Sequence, residues 1–260
     1  MKNFEFKKSL GQNFLQDKNV ISKITSKDNF LPNSLIIEVG PGAGALTKEL
    51  VKTGNRVICF EIDERLESEL LSIEGNIKVV FQDFLKVDLN EYLNDEKYDN
   101  LYIVSNLPYY ITTPIITKIV DDNINVKSMF LMMQKEVADR IKAKPNSKEY
   151  SSLSIFLQYH FDISVLTKVS RNCFIPRPNV DSIVLEFRKI NYPTKPKNEK
   201  VFYDLILDSF KYKRKNLKNN LKNYDLNKIA VVLEKFGKDL SYRAEQITID
   251  EFIEISNCIN

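Results

Sequence analysis

The stretch Leu35-Ile36-Ile37-Glu38-Val39-Gly40-Pro41-Gly42-Ala43-Gly44-Ala45 decides the fold of this chain. Its first five residues form an apolar run that predicts a buried β-strand. Glycines follow at alternate positions, and a helical pattern then continues through Thr47 and Leu50. A strand, a glycine turn and a helix in this order are typical of the opening unit of a nucleotide-binding α/β domain. Glycines let a backbone approach a ligand closely, and the start of a helix favours a carboxylate or a phosphate.

Two further strands are predicted, each with acidic residues at its end or directly after it. Residues 56–63 form the second, and Glu61 lies about twenty residues beyond the glycine turn, where an acid can bind both hydroxyls of a ribose. The alternative is an acid that caps the next helix, a role that suits Asp63 better than Glu61. Residues 77–81 form the third strand, after which Asp83 either accepts from an adenine amine or terminates a turn. The glycine spacing is G-x-G-x-G, which differs from the dinucleotide pattern G-x-G-x-x-G.

The stretch Ser105-Asn106-Leu107-Pro108-Tyr109-Tyr110 follows an apolar run that predicts another buried strand, and Pro108 ends it. In an open parallel sheet, ligands bind at the carboxyl ends of the strands. The exocyclic amine of a nucleobase is a poor nucleophile, because its lone pair is delocalised into the ring. The Asn106 side-chain oxygen and the Leu107 carbonyl can accept the two amine hydrogens, and Pro108 stiffens this turn. Tyr109 offers a face on which an extruded base can stack; the alternative is a strand-ending turn with a half-buried tyrosine.

Two other segments are expected to approach this edge. An apolar stripe that includes Phe14 and Leu15 continues into a helix near Asp17, which predicts that the N-terminal segment docks on the body of the protein. The loop of residues 173–182 contains two prolines one residue apart, which fix it in an extended conformation and hold Phe174 in place. Phe174 either closes the other face of a base stacked on Tyr109 or anchors the core.

The composition limits the possible classes of function. The 260 residues are 43% hydrophobic and 28% charged, as in a globular protein of one large or two modest domains. No apolar run approaches a membrane span and the first residues contain no signal-peptide core, so we expect a cytoplasmic protein. The single histidine, His160, argues against a Ser-His-Asp hydrolase and a histidine-ligated metal site. The three cysteines lie far apart and are expected to be reduced and structural: Cys59, Cys173 and Cys258.

A polar stretch with two prolines at residues 191–198 predicts a boundary between a domain of residues 1–190 and a domain of residues 191–260. The pattern beyond it is helical, with Ile206, Phe210, Leu217 and Leu221 on one apolar face. The opposite face carries six cations and no acid: Lys211, Lys213, Arg214, Lys215, Lys218 and Lys222. Such a run is either a solvated face or, as its interleaving with Tyr212 favours, a surface that binds RNA phosphates.

In combination these motifs resemble those of the KsgA-type small-subunit rRNA adenine dimethyltransferases, the rRNA adenine dimethylase family. The resemblance extends from Lys8 to about Phe252 and depends on six motifs, at residues 10–15, 38–44, 61–63, 82–83, 106–109 and 174–178. It implies a Rossmann-like class I methyltransferase with a seven-stranded, mostly parallel sheet and a small all-α C-terminal domain. It also implies S-adenosylmethionine as the cofactor and no metal. Tyr110 stands where the family commonly has asparagine, which leaves that wall of the pocket undefined.

The resemblance further implies roles for the residues of these motifs. Gln12, Asn13 and Leu15 close over the cofactor, whose methionine part lies against Gly40 and Gly42. Glu61 holds the ribose, and Asp83 holds the adenine amine, with Ile62 and Phe84 beside them. Asn106 lies between the cofactor and the target base.

The implied reaction transfers two methyl groups to N6 of each of two adjacent adenosines, in a hairpin near the 3′ end of small-subunit (16S) rRNA. The implied partner is that rRNA or a precursor of the small ribosomal subunit, and a monomer is expected. One alternative is a resistance-type methyltransferase that modifies a large-subunit rRNA adenine. A DNA adenine methyltransferase would usually bring a larger sequence-reading domain, and a nicotinamide-dependent oxidoreductase would need another glycine spacing. A non-catalytic RNA-binding assembly factor would leave Asn106 and Tyr109 without a role.

Overall fold

The computed structural model describes residues 13–106 and 111–259, and strands and helices alternate along most of that range. The strands are β1 (Phe14–Leu15), β2 (Ser34–Val39), β3 (Arg56–Glu61), β4 (Ile77–Phe81), β5 (Asn100–Asn106), β6 (Ser128–Gln134), β7 (Phe161–Val169), β8 (Phe174–Ile175) and β9 (Ser182–Lys189). The helices are α1 (Lys18–Ile24), α2 (Thr47–Leu50), α3 (Glu67–Leu71), α4 (Leu89–Leu93), α5 (Thr112–Asp121), α6 (Lys135–Ile141), α7 (Ser152–His160), α8 (Glu199–Phe210), α9 (Leu217–Asn220), α10 (Leu226–Glu234) and α11 (Ile249–Ile259).

Seven strands form one sheet in the order β4-β3-β2-β5-β6-β9-β7. The first five in this order are parallel to one another, and β9 pairs antiparallel with β6. The order reverses direction at β2, which has β3 on one side and β5 on the other. In such sheets a crevice opens at the carboxyl ends of the strands beside this reversal. The predicted Rossmann-like fold is confirmed.

The central strands are buried on both faces, as expected for parallel strands covered by helices. All six residues of β2 are buried, and so are five of the six residues of β3. On one face of the sheet, α1 and α2 bury Val20, Ile24 and Leu50 in the same apolar cluster as Ile36 of β2. Helix α1 begins after Asp17, whose carboxylate accepts from the backbone N–H groups of residues 19 and 20. Strand β1 pairs with β8, so the N-terminal segment docks on the body of the protein as predicted.

The chain forms two compact units, and the second contains more than the predicted C-terminal domain. The first unit comprises residues up to Lys135 together with Ile163–Lys189, and the second comprises Glu136–Asp162 together with Ile190–Asn260. The segment 136–162 belongs to the second unit because Ile155 and Tyr159 of α7 share its apolar core with Phe202 of α8. This placement differs from the predicted division at residue 190, which put residues 136–162 in the first domain.

The predicted continuous helix through the six cations is wrong. Helix α8 ends at Phe210, residues 211–216 form turns, and α9 begins after Asn216. Like charges four residues apart, such as Lys211 with Lys215 and Arg214 with Lys218, destabilise a helix. Asn216 supplies the cap of α9 by accepting from the Asn219 N–H at 3.1 Å. All six cations are nevertheless exposed.

Other predictions for this unit agree with the structure. Ile206, Leu217 and Leu221 are buried in its apolar core, and α10 and α11 pack against them in the same cluster. His160 has the structural position expected for it and hydrogen-bonds through Nε2 to the Tyr203 hydroxyl at 2.8 Å. Among the residues that the structure describes, no helix is both long and apolar enough to cross a membrane.

Candidate active site

A cavity of about 440 Å³ opens at the carboxyl ends of β2, β3, β4 and β5 in the first unit. Its volume lies in the range of small-molecule sites. Nine of the predicted cofactor residues line it: Asn13, Leu15, Gly40, Gly42, Glu61, Ile62, Asp83, Phe84 and Asn106. The tenth, Gln12, lies outside the described residues, as do Leu107, Pro108, Tyr109 and Tyr110. The structure therefore brings together the described residues that the sequence assigned to a cofactor.

The glycine turn after β2 forms one wall of the cavity. Gly40 has φ +68°, and a Cβ atom at this position would meet nothing within 4 Å, so the backbone is open towards the cavity. Gly42 has φ +56°, and a Cβ atom here would lie 2.5 Å from Cε1 of Phe14. Both positions therefore need glycine, the first for its left-handed backbone and the second also because Phe14 occupies the space.

Glu61, at the end of β3, joins that strand to the glycine turn. Its Oε2 accepts from the Gly42 N–H at 3.0 Å, and its Oε1 accepts from the N–H groups of Ile62 and Asp63, both at 2.9 Å. Glu61 is only 6% exposed, and burial raises the pKa of its carboxyl group, while these backbone hydrogen bonds oppose the shift. A carboxylate has about four lone-pair sites, so Glu61 keeps acceptor capacity for a ligand in the cavity.

The sequence favoured Asp63 as a cap for the following helix and left Asp83 open between a ligand contact and a turn. Asp63 caps the following turn and pairs with Arg65, with a distance of 2.6 Å between Oδ2 and Nη2. Asp83 lines the cavity and also accepts from the Leu85 N–H at 3.1 Å, so it terminates a turn within the site. Ile62 and Phe84 add an apolar wall beside these acids, which suits the faces of a purine.

Asn106, the last residue of β5, has its amide group oriented by the N-terminal segment. Its Nδ2 donates to the Asn13 carbonyl at 3.1 Å. Because Nδ2 is used in this way, Oδ1 is the atom that the amide can offer as an acceptor. The preceding residue is also fixed, since the buried Ser105 hydroxyl donates to the Val39 carbonyl of the neighbouring strand. Docking of β1 thus sets the direction of the Asn106 side chain.

Phe174 does not occupy the position expected for a residue that closes over a base. It is 3% exposed, belongs to the apolar cluster of the first unit, and does not line the cavity. Its backbone pairs with Leu15, which does line the cavity. Since burying an aromatic ring is strongly favourable, the core role that the sequence also allowed is the one in the structure. Phe174 supports the cavity wall from behind.

Glu38 is a cavity residue that the site prediction missed. It is 1% exposed, and its Oε2 accepts from the Thr47 hydroxyl at 2.7 Å and from the Cys59 thiol at 3.6 Å. Burial raises the pKa of Glu38 to about 7, although both hydrogen bonds oppose the shift. The available signal was an acid inside an otherwise apolar strand, directly before the glycine turn, because lone buried acids are rare outside functional sites.

We expect Glu38→Gln to stabilise the protein at alkaline pH. The folded state binds the Glu38 proton more tightly than the unfolded state, so this contribution is complete below about pH 4.5 and is lost as the pH rises through about 7. Glutamine keeps an acceptor for Thr47 without titrating. The free energy of unfolding of the Glu38→Gln variant should exceed that of wild type by up to about 3 kcal/mol at pH 8, and the difference should disappear towards pH 4.5. Urea unfolding between pH 5 and pH 8 measures this effect.

The exposed Glu67 provides the control for this experiment, since Glu67→Gln should follow the wild-type pH dependence. A constant difference between Glu38→Gln and wild type across that range would show that Glu38 does not titrate as proposed.

The fold and the cavity together define a class I methyltransferase. The open Gly40 backbone, the acceptors Glu61 and Asp83 and the apolar wall suit a ligand with the charged, hydroxyl-bearing and aromatic parts of S-adenosylmethionine. The model of the ribosomal RNA adenine dimethylase family matches residues 3–260. The chain therefore belongs to the ribosomal RNA adenine dimethylase family and is an S-adenosylmethionine-dependent enzyme.

Similar proteins agree with this assignment. Proteins named ribosomal RNA small subunit methyltransferase A from Clostridium botulinum strain Kyoto and from Bacillus cereus are each 42% identical, over 98% of this chain and over 94% and 92% of their own lengths. The crystal structure of a dimethyladenosine transferase from Plasmodium falciparum superposes with a TM-score of 0.76 at 25% identity, covering 93% of this chain and 95% of that chain. The 23S rRNA methyltransferase ErmE shares the fold, with a TM-score of 0.71 at 23% identity over 95% of this chain and 99% of its own.

Proposed function

We propose that this enzyme transfers methyl groups from S-adenosylmethionine to N6 of two adjacent adenosines near the 3′ end of small-subunit rRNA, producing N6,N6-dimethyladenosine during ribosome maturation. The family and the relatives named small subunit methyltransferase A support this substrate. The observation that carries the chemistry is Asn106, whose amide is oriented by the Asn13 carbonyl at the edge of the cofactor cavity. The proposed location is the cytoplasm, where the precursor of the small subunit would be the partner and the enzyme would act as a monomer.

The cavity residues would hold the cofactor through three kinds of contact. Gly40 and Gly42 would receive its methionine part, Glu61 its ribose, and Asp83 its adenine amine, with Leu15, Ile62 and Phe84 as the apolar surroundings. When bound, S-adenosylmethionine supplies an electrophilic methyl group on a sulfonium. The leaving group is therefore already activated, and the protein contributes alignment of the amine and exclusion of water.

Asn106 would act on the amine of the target adenosine. Its Oδ1 accepts one N6 hydrogen, and we propose the Leu107 carbonyl for the other, so that the lone pair is released from the ring and directed at the methyl group. Pro108 would stiffen this turn and Tyr109 would stack on the extruded base. The product of the first transfer must bind again for the second, so the acceptor site needs room for one methyl group. The amine proton leaves to water after each transfer.

The exposed cations of the second unit would bind the rRNA. Lys211, Lys213, Arg214 and Lys215 lie between α8 and α9, and Lys218 and Lys222 follow. None of these six forms an ion pair with another described residue, so their charge is available to phosphates. Uncompensated cations on one segment supply the electrostatic part of nucleic-acid binding.

Methyl transfer from radiolabelled S-adenosylmethionine tests the proposal directly. Unmethylated small ribosomal subunits, large-subunit rRNA and duplex DNA are offered separately, and the labelled nucleosides are identified after digestion. We expect dimethyladenosine only in the small subunit. Label in large-subunit rRNA would instead identify a resistance-type enzyme. Bound cofactor without label in any substrate would indicate a non-catalytic RNA-binding factor.

A further inference from the structure

The segment between α8 and α9 is an ordered turn, held by one side chain. Asn220 donates through Nδ2 to the carbonyls of Ser209 at 2.7 Å, Tyr212 at 3.3 Å and Lys215 at 3.4 Å. Its Oδ1 accepts from the Tyr212 N–H at 3.2 Å. The Lys215 N–H also donates to the Tyr212 carbonyl at 2.9 Å, which closes a four-residue turn. A single amide therefore fixes the backbone on both sides of the cations.

This turn places an aromatic ring among uncompensated charges. Lys213 and Arg214 occupy its two central positions, and Tyr212 immediately precedes them. Tyr212 is 58% exposed, so its ring is accessible from the solvent. An exposed aromatic face flanked by cations is how proteins bind unpaired nucleotides, because the base stacks on the ring while its phosphates meet the charges.

We propose that residues 211–215 bind an unpaired nucleotide of the rRNA, whose base stacks on Tyr212 and whose flanking phosphates contact Lys213 and Arg214. Asn220 acts as a positioning residue, because it holds the backbone from which both the ring and the cations project. This inference rests on the proposed function, since it assigns a particular element of RNA structure to the same enzyme. It predicts a preference for single-stranded over duplex RNA at this turn, because paired bases expose no face for stacking.

A neighbouring cleft offers a path for the RNA backbone. It has a volume of about 570 Å³, and Lys213 and Lys215 lie on its wall together with Arg140 and Lys148. Three acids also line it, Glu136, Glu149 and Glu245, so the cations exceed the acids by one. We place the stacked base at Tyr212 on the exposed turn, with the cleft receiving only the adjoining phosphate chain.

The chain contains no tryptophan, so Tyr212→Trp introduces a single indole whose fluorescence reports stacking. The full-length variant is titrated with a single-stranded RNA of about 12 nucleotides and with the same RNA annealed to its complement. We expect strong quenching by the single strand and little by the duplex, with binding of both followed by the anisotropy of labelled RNA. Asn220→Ala in the same background should weaken the quenching, because the turn loses the amide that fixes it.

Salt dependence separates stacking from charge. Tyr212→Ala should weaken binding of the single strand about tenfold without changing the slope of log K against log salt, whereas Lys213→Ala should reduce that slope by about one. Phe236, another partly exposed aromatic residue of the same unit, is the matched control, and Phe236→Ala should bind like wild type.

The outcomes distinguish this inference from the function on which it rests. Binding of the single strand by Tyr212→Trp without quenching would overturn the stacking role, while methyl transfer to small subunits would still support the enzyme's function. Equal quenching by the single strand and the duplex would show that the turn does not require an unpaired nucleotide, and would overturn the inference. Absence of both RNA binding and methyl transfer would overturn the inference and the proposed function together.

Discussion

Replacement of Asn106 by alanine is expected to lower kcat for methyl transfer by about 10²- to 10³-fold, the usual cost of losing one fixed polar contact to the reacting group. The cavity around the cofactor loses little, because the Asn106 side chain is one of many that line it. The affinity for S-adenosylmethionine and for rRNA should therefore stay within about threefold of wild type. Single-turnover transfer to unmethylated small subunits, with the cofactor affinity measured by calorimetry, separates the two effects.

Asn100 provides a control of the same residue type on the same strand, because it begins β5 while Asn106 ends it. Asn100→Ala should leave kcat unchanged. Full activity of Asn106→Ala would show that Asn106 does not bind the target amine, since no other side chain was predicted to accept from N6.

The sequence predicted the first unit well because short-range patterns determine its strands. Apolar runs identified β2, β3, β4 and β5, and a parallel sheet brings the carboxyl ends of these strands to one edge. Glu61, Asp83 and Asn106 were therefore expected to meet, and they line one cavity. Glu61 and Asn106 end their strands and Asp83 follows one, so the ends of the apolar runs were enough to predict their positions.

The errors concern contacts and charges that the pattern of apolar residues does not encode. Phe174 is buried because β8 pairs with β1, about 160 residues earlier, and no local pattern encodes that pairing. The segment 136–162 joins the second unit through contacts such as the Asn146 N–H to the Glu245 carbonyl and the Tyr159 hydroxyl to the Glu199 carboxylate, together with the packing of α7 on α8. The helix expected through the cations ends at Phe210, where four hydrogen bonds of the Asn220 amide support a turn instead.

Glu61→Ala is expected to have the largest effect on cofactor binding. The substitution removes the acceptor proposed for the ribose hydroxyls and leaves the N–H groups of Gly42, Ile62 and Asp63 without their partner. We expect the affinity for S-adenosylmethionine to fall about a hundredfold and the free energy of unfolding to fall by about 2 kcal/mol, since water entering the open cavity satisfies part of the freed backbone. Calorimetric titration and urea unfolding measure the two quantities.

Two further variants separate the ribose contact from the support of the glycine turn. Glu61→Gln keeps one oxygen but turns an NH₂ group towards backbone N–H donors, so it should weaken cofactor binding and stability together, less than alanine does. The exposed Glu64, three residues further on, is the control, and Glu64→Ala should match wild type in both measurements.

The pH dependence of cofactor binding gives an independent test of Glu61. Burial raises the pKa of its carboxyl group, and protonation replaces one acceptor by a donor, so the affinity of wild type should fall as the pH decreases towards that pKa. The Glu61→Gln variant does not titrate at this position and should lose that part of the dependence. If Glu61→Ala kept the wild-type affinity for S-adenosylmethionine and lost only stability, the role of Glu61 would be limited to holding the glycine turn through the Gly42 N–H. The ribose contact would then have to be assigned to another acceptor of the cavity.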